Sequence, residues 1–204
     1  MKLYVNGTSP YARKVLVVVR EKGLENAVET VLCDPWSDPA ALLAVNPLSK
    51  VPALDLGDGT TLVDSDLIAE WLDASGPAPR LLAPIGPARW RALRLAALAR
   101  GVTDAAFAAV LEGRRPAAER SAAWVSRQTA ALRRAVPMLE KTRFPDGEPE
   151  DPGRFDLGDI GLAVALAYLD FRHAALGWRN LAPRLADWYD DAGRRPSMQA
   201  TAFG

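Results

Sequence analysis

The sequence predicts an α/β domain with the element order βαβαββα, followed by an all-α domain. Short strand-like and helix-like segments alternate before residue 75, whereas every periodic segment after residue 87 is helical. The stretch between them is rich in proline and glycine, which is typical of a linker. We therefore expect a first domain over residues 1–76, a linker over 77–87 and a helical domain over 88–204.

Local signals define the elements of the first domain. Ser9 and Pro10 start a helix, because serine caps free amides and proline suits the first helical position, and Gly23 ends it. Residues 55–60 predict a hairpin turn between the last two strands. The predicted strands are 2–5, 28–32, 52–56 and 60–63, and the predicted helices are 10–22, 39–44 and 65–74.

The second domain has markers of its own. Pro137 lies inside a helical pattern and is expected to kink or end that helix. Residues 142–154 hold four acidic residues and three prolines, so we expect a surface loop there. Asp156 and Asp159 form a capping-box pattern before a run, 160–169, that is apolar on nearly every face and predicts a buried central helix. The predicted helices are 88–112, 116–141, 156–175 and 183–193.

The composition excludes several classes of function. Lys plus Arg equals Asp plus Glu, at 25 each, which argues against a nucleic-acid or acidic-membrane partner. One cysteine excludes an internal disulfide framework and fits a reducing, cytoplasmic location. One histidine and one cysteine argue against a zinc site, so no metal is expected. The N-terminus lacks a signal-peptide pattern, and the longest apolar run is too short to span a bilayer.

Three short segments carry the candidate site: Ser9–Lys14, Asn46–Pro52 and Asp64–Ser65. The first places a hydroxyl at a strand-to-helix turn, and the second offers a backbone edge held by a proline. The third puts a carboxylate and a hydroxyl at a helix start, where anions are favoured. Together they suggest a site for a small anionic peptide thiol, although helix capping alone also accounts for Ser9.

On these segments the chain resembles the serine-type cytosolic glutathione S-transferases over essentially its whole length. Members carry a Glu-Ser pair where this chain has Asp64–Ser65, and a Ser or Thr where it has Asp156. The resemblance implies an α/β thioredoxin-like N-terminal domain (βαβαββα) followed by an all-α C-terminal domain. Three further segments are similar to a bacterial YibF-like branch: 101–106, Arg115–Pro116 with Ser126–Gln128, and 168–172.

The resemblance implies that the chain activates the thiol of glutathione. A hydroxyl hydrogen bond to the thiolate contributes about 1.5–3 kcal/mol, or roughly 1–2 pK units, whereas a helix N-terminus adds about 0.3–1 kcal/mol. Ser9 is the candidate catalytic residue because it joins a hydroxyl to that helix start. Thr8 is the nearest rival and Tyr11 the next.

Other residues are implied to bind glutathione rather than to react. Val51–Pro52 resembles a cis-proline corner whose backbone pairs with the cysteine of glutathione; an ordinary turn proline is the alternative. Asp64 would hold the γ-glutamyl ammonium, while Ser65 and the free amides would hold its carboxylate, or both residues simply cap the helix. Lys50 would reach the glycyl carboxylate or be solvated. Asp104 would cross a dimer interface to the ligand. The implied glutathione-binding residues are Ser9, Tyr11, Lys50, Val51, Pro52, Asp64, Ser65 and Asp104.

Apolar residues of both predicted domains are candidates for a substrate pocket, although helix periodicity alone would also bury most of them. They are Trp36, Phe107, Val110, Tyr168 and Phe171. Cys33 is expected to be buried and inert, and His173 to be a surface or packing residue.

Two functional hypotheses follow from these residues. The first is a homodimeric glutathione transferase that attacks a small hydrophobic electrophile in detoxification, with peroxidase or dehalogenase side activity. The second is a non-catalytic glutathione-binding or regulatory protein of the same fold, as the stringent starvation proteins are. The intact site segments favour the first hypothesis, and the identity of the electrophile is left open.

Overall fold

The computed structural model describes residues 1–145 and 153–204, which form two compact units. The first unit is Met1–Pro84 with Arg195–Gly204, and the second is Ile85–Arg194. The domain division expected from the sequence put residues 195–204 in the helical domain. The structure groups them with the first unit, where Arg195 donates two hydrogen bonds to Glu21.

The first unit confirms the predicted βαβαββα order. Gly23 follows the first helix with a φ of 61°, a conformation that favours glycine, so the predicted helix end is confirmed. The predicted hairpin is confirmed by the antiparallel pairing of the last two strands. The elements are β1 (Lys2–Val5), α1 (Pro10–Glu21), β2 (Glu29–Leu32), α2 (Ala40–Leu43), β3 (Ala53–Asp55), β4 (Thr61–Val63) and α3 (Ser65–Ser75).

The sheet has the strand order β2-β1-β3-β4, with β1 parallel to β2 and antiparallel to β3. Ala53, the first residue of β3, is opposite Tyr4 of β1 on one side and Val63 of β4 on the other. The end of β1, the start of β3 and the end of β4 therefore meet at one end of the sheet. The three segments singled out in the sequence all lie at this end.

The second unit is helical over its described residues. Its helices are α4 (Pro87–Arg114), α5 (Ala122–Arg143), α6 (Leu157–Arg172), α7 (Trp178–Leu181) and α8 (Pro183–Ala192), and a last helix, α9 (Pro196–Gln199), lies in the first unit. The predicted start of α5 at residue 116 is wrong, because a 3-10 turn at Ala117–Glu119 comes first and Ser121 caps the helix. The prediction that Pro137 could end α5 is also wrong, since the helix continues to Arg143.

The predicted surface loop at 142–154 starts later than expected. Residues 142 and 143 belong to α5, Phe144 is buried, and residues 146–152 lie outside the described part of the chain. The predicted helix 156–175 ends at Arg172, where a separate 3-10 turn, Ala174–Leu176, follows.

The capping box at the start of α6 is confirmed. Asp156 Oδ1 accepts hydrogen bonds from the amides of Gly158 (2.8 Å) and Asp159 (3.0 Å), and Asp159 Oδ2 accepts one from the Asp156 amide. The prediction of a buried central helix is confirmed as well, because all residues from Leu157 to Leu169 are buried. Gly158 allows close packing here, since a Cβ at this position would lie 2.6 Å from the carbonyl oxygen of Ala92.

Among the described residues, no single helix has the length and apolar composition needed to cross a membrane, although the bent pair of Leu157–Arg172 and Ala174–Leu181 passes that test together.

Candidate functional site

Ser9 caps helix α1 and keeps its hydroxyl hydrogen available. Its Oγ accepts a hydrogen bond from the Ala12 amide at 3.2 Å, as expected of a capping serine. A serine hydroxyl has two acceptor positions and one donor, and the cap uses only one acceptor. No acceptor for the Ser9 O–H group is found among the described residues. Capping and thiol activation are therefore compatible in the same side chain.

Thr8 differs from Ser9 in this respect. Its Oγ1 donates to Asn6 Oδ1 at 2.8 Å, and its amide donates to the same oxygen at 3.0 Å. The Asn6 side chain is itself fixed, because its Nδ2 donates to the carbonyl oxygen of Cys33. The single hydrogen of the Thr8 hydroxyl is thus already used within the turn. Asn6 was not predicted as a site residue, although its hydrogen bond with Thr8 distinguishes the Thr8 hydroxyl from that of Ser9.

Tyr11 lies in the first turn of α1 and is half buried. It stays a predicted glutathione contact.

The Val51–Pro52 peptide bond is cis, which confirms the cis-proline corner. Asn46, 2% exposed, organises the loop before it: its Nδ2 donates to the Lys50 carbonyl oxygen, and its Oδ1 accepts from the Leu48 amide. None of the backbone hydrogen bonds outside the helices and strands of the described residues involves the amide or carbonyl of Val51. That backbone edge remains available to an extended peptide, while the Lys50 side chain is exposed.

Asp64 holds the start of α3 in an unusual backbone conformation. Its φ of 78° and ψ of 127° are rarely adopted by a non-glycine residue, and such conformations cluster at functional sites. Its Oδ1 accepts hydrogen bonds from the amides of Asp66 (2.7 Å) and Leu67 (3.4 Å). Free amides at this helix start were expected to bind a ligand carboxylate. The amides of Asp66 and Leu67 already donate to Asp64, so they are not free for that role.

Ser65 has, within the described part of the chain, an unpaired hydroxyl at the same helix start. The residue is 2% exposed, and its Oγ has no hydrogen-bond partner among the described residues. A buried hydroxyl without a partner costs free energy, so an unpaired one calls for a functional explanation. The Ser65 hydroxyl therefore stays a predicted contact for a ligand carboxylate at this end of the sheet.

One ion pair links the two helix starts of the site. Lys14 on α1 pairs through Nζ with Oδ1 of Asp66, the second residue of α3. The Lys14 side chain is 9% exposed and that of Asp66 44%. Neither residue has a role predicted from the sequence.

Helix α1 is also held by the last residues of the first unit. Arg13 is buried, its Nη2 donates to the Met198 carbonyl oxygen at 3.1 Å, and its guanidinium lies 4.5 Å from the centre of the Phe203 ring. At the far end of α1, Arg195 and Ser197 both donate to the carboxylate of Glu21. These contacts fix the helix that presents Ser9.

The remaining candidates are distributed over both units. Asp104 is exposed on α4 and pairs with Arg100 at 3.2 Å. Of the predicted pocket residues, Trp36 lies in the first unit and is 63% exposed, whereas the others lie on α4 and α6 of the second unit: Phe107, Val110, Tyr168 and Phe171. Tyr168 is only 1% exposed and belongs to the helical core. The pocket and the role of Asp104 stay predictions.

Cys33 is half buried rather than fully buried, and its Sγ lies 3.7 Å from the Val5 carbonyl oxygen. Burial and the neighbouring charge of Asp34 raise the pKa of the Cys33 thiol, so it is less reactive than an ordinary cysteine. His173 Nε2 is hydrogen-bonded with the Ala106 carbonyl oxygen at 2.9 Å, which is a packing role. Among the described residues no group of three or more potential metal ligands is found.

The sequence matches known proteins along both units. The N-terminal domain of glutathione S-transferases matches residues 8–75, and their C-terminal domain matches residues 122–191. An uncharacterized GST-like protein of Escherichia coli K12, YibF, is 32% identical over 201 residues, which cover 98% of each chain.

Solved structures of bacterial proteins are similar as well. A glutathione transferase family member from Pseudomonas fluorescens Pf-5, crystallised with bound glutathione, is 40% identical with a TM-score of 0.90, over 100% of this chain and 98% of that one. A glutathione S-transferase from Methylobacillus flagellatus KT, also with glutathione bound, is 38% identical with a TM-score of 0.88, over 98% of each chain.

Proposed function

The chain belongs to the glutathione S-transferase family, and on that premise we propose that it binds reduced glutathione and activates its thiol for attack on a small hydrophobic electrophile. The family and its thioredoxin-like fold were both expected from the sequence and are confirmed. In this proposal residues 1–76 bind glutathione, and residues 88–204, after the linker at 77–87, supply the substrate pocket and the dimer contacts.

The single observation that carries the proposal is the hydrogen bonding of Ser9. Its Oγ accepts from the Ala12 amide, so its hydrogen can be donated to a thiolate sulfur at the N-terminus of α1. A hydrogen bond of this kind favours the thiolate over the thiol and lowers the thiol pKa by roughly 1–2 units from about 8.5. The thiolate is the nucleophilic form.

The other site residues have binding roles in the same proposal. The backbone of Val51 pairs with the cysteine of glutathione as an added strand does. Ser65 donates to the γ-glutamyl carboxylate, and the carboxylate of Asp64 receives the γ-glutamyl ammonium. Lys50 is exposed beside this edge and reaches the glycyl carboxylate.

A pH titration of thiolate absorbance tests the thiol-activating role. We expect bound glutathione to titrate below its free pKa in the wild type, and Ser9→Ala to raise that value by roughly 1–2 units. Thr8→Val is the matched control, since the Thr8 hydroxyl donates to Asn6, and Tyr11→Phe tests the remaining hydroxyl. A control that moves the pKa while Ser9→Ala leaves it unchanged would reassign the activator.

The alternative function is a non-catalytic glutathione-binding protein. It becomes the better description if the wild type binds glutathione without lowering the thiol pKa. A panel of electrophiles, peroxides, organic halides and disulfides, assayed with glutathione, separates transferase activity from the peroxidase and dehalogenase side activities.

We also propose that the chain forms a homodimer in which Asp104 reaches the ligand of the partner. A two-fold interface would use the same surface patch twice. Analytical ultracentrifugation is expected to give a dimer at micromolar concentration. A monomer would remove the cross-subunit role of Asp104.

A further inference from the structure

We propose that Lys14 is a specificity-determining residue for glutathione: its ammonium group offsets the charge of Asp66, so that the start of α3 accepts the γ-glutamyl carboxylate. The inference deepens the proposed function and rests on it. It concerns two residues that the proposed mechanism does not otherwise use.

Two acidic residues lie next to Ser65 in the chain. Asp64 and Asp66 flank it in the chain, so two acidic residues adjoin a buried hydroxyl that has no partner among the described residues. They are also connected, because the Asp66 amide donates to Asp64 Oδ1 at 2.7 Å. A ligand carboxylate at Ser65 would approach two like charges, which disfavours its binding.

Of the two carboxylates, Asp64 has a role toward the ligand in the proposed function, and Asp66 has none. Asp66 therefore contributes a negative charge that opposes the ligand carboxylate. The Lys14 ammonium pairs with Asp66, and the Lys14 side chain is 9% exposed, so bulk solvent screens this charge less than that of a surface lysine. Lys14 thus cancels the unfavourable charge where the carboxylate would bind.

A second interpretation of the same ion pair is purely mechanical. Lys14 is on α1 and Asp66 on α3, so the pair could simply fix the distance between the two helix starts. The interpretations predict opposite results for one variant. If the pair is a tether, removing either partner weakens binding; if Lys14 offsets a charge, removing Asp66 strengthens it.

Calorimetric titration of the full chain with reduced glutathione distinguishes them. We expect Lys14→Met to raise the Kd roughly threefold to tenfold, and Asp66→Asn to lower it roughly twofold to fivefold. The double variant should return to within about twofold of the wild type, and Lys14→Arg should resemble the wild type because it keeps the charge. Added salt should reduce the Lys14→Met effect less than it would for a surface ion pair, because the Lys14 side chain is 9% exposed.

A truncated ligand identifies the group that Lys14 serves. 4-Aminobutyryl-cysteinyl-glycine keeps the ammonium and the thiol of glutathione but lacks the γ-glutamyl carboxylate. Lys14→Met should change its Kd by less than about twofold, because the charge that Lys14 favours is missing from the ligand. An equal loss of affinity for both ligands would overturn the assignment.

The outcomes separate this inference from the proposed function. A wild type that does not bind glutathione at millimolar concentration contradicts both. A wild type that binds, with weaker binding in Asp66→Asn or no rescue in the double variant, overturns the role of Lys14 alone and supports the tether. Asp66→Asn keeps the test decisive even if Lys14→Met unfolds, which thermal unfolding would detect.

Discussion

Helices α1 and α6 both start with a polar capping residue, but the two starts use their hydrogen-bonding groups differently. At α6, Asp156 accepts from two amides and Asp159 accepts in return, which closes the box. Asp159 is fully buried and lies 2.6 Å from Arg143 Nε, a charge contact that is not aligned as a hydrogen bond. At α1, Ser9 accepts one hydrogen bond and keeps its donor.

The difference separates a structural helix start from one that can bind a ligand. Burial and the nearby charge of Asp159 raise the pKa of Asp156, so the closed box holds two carboxylates together and needs Arg143 and Arg154 beside them. The start of α1 contains no such cluster and is only half buried at Ser9. Both helix starts have a cap, so capping does not distinguish the candidate site. The hydroxyl hydrogen of Ser9, which has no acceptor among the described residues, does.

Breaking the capping box at the start of α6 should give the largest effect on stability. Asp159→Asn removes the negative charge that faces the buried guanidinium of Arg143, and breaking a buried ion pair costs about 3–5 kcal/mol. The free energy of unfolding, measured by urea denaturation, should fall by that amount. A loss below about 1 kcal/mol would show that the box is not the main anchor of α6.

Changing Ser9 at the start of α1 should distinguish helix capping from activation of the glutathione thiol. Ser9→Asp keeps a good cap, so unfolding free energy should stay within about 0.5 kcal/mol of the wild type. An ionised aspartate has no hydrogen to donate and repels a thiolate, so turnover with glutathione should fall by at least roughly tenfold. Ser9→Thr, which keeps both cap and donor, is the control. Full activity in Ser9→Asp would mean that the cap alone matters.

The far end of α1 gives a pH test of smaller size. Burial raises the pKa of Glu21, but the hydrogen bonds from Arg195 and Ser197 and the charge of Arg195 lower it more, so the pKa of this carboxyl lies below its ordinary value. A carboxylate with a lowered pKa stabilises the fold above its unfolded pKa and loses that effect as pH falls through its folded pKa.

Glu21→Gln should therefore cost no more than about 1 kcal/mol near neutral pH, because Arg195 is partly exposed. The cost should disappear as pH falls through the lowered pKa of Glu21, which urea denaturation of both proteins over a pH series will measure. A cost that is independent of pH would mean that packing, and not the charge, holds the last residues of the first unit on α1.

The smallest effect is expected for an exposed carboxylate. Asp104 pairs with Arg100 one turn away on α4, and its side chain is 52% exposed. Asp104→Asn should change the unfolding free energy by less than about 0.5 kcal/mol. Thermal unfolding of Asp104→Asn and Asp159→Asn under the same conditions compares the loss of stability at an exposed and at a buried aspartate.

The sequence predicted the elements of the first unit well because their signals are local. Ser9 with Pro10 and Gly23 mark the two ends of α1 within the chain segment itself. Pro137 did not end α5, because Val136 and Leu139 beside it are fully buried, and their packing outweighs the missing backbone hydrogen bond. Local propensity contains no information on such packing.

The sequence predicted which segments form the candidate site, but it did not predict the hydrogen bonds within the site. The choice between Thr8 and Ser9 depends on the Asn6 side chain, which no motif identifies. The occupied amides of α3 follow from the backbone conformation of Asp64, and the Lys14–Asp66 pair joins residues 52 positions apart. These features require the folded arrangement.

The grouping of Arg195–Gly204 with the first unit has a consequence for synthesis on the ribosome. The chain leaves the first unit at Pro84, forms the whole helical unit, and only then supplies the residues that bind Arg13 and Glu21. The helical unit is in effect an insertion, and translation makes these partners of α1 after it. The helix that presents Ser9 gains its final support only after the helical unit has been translated.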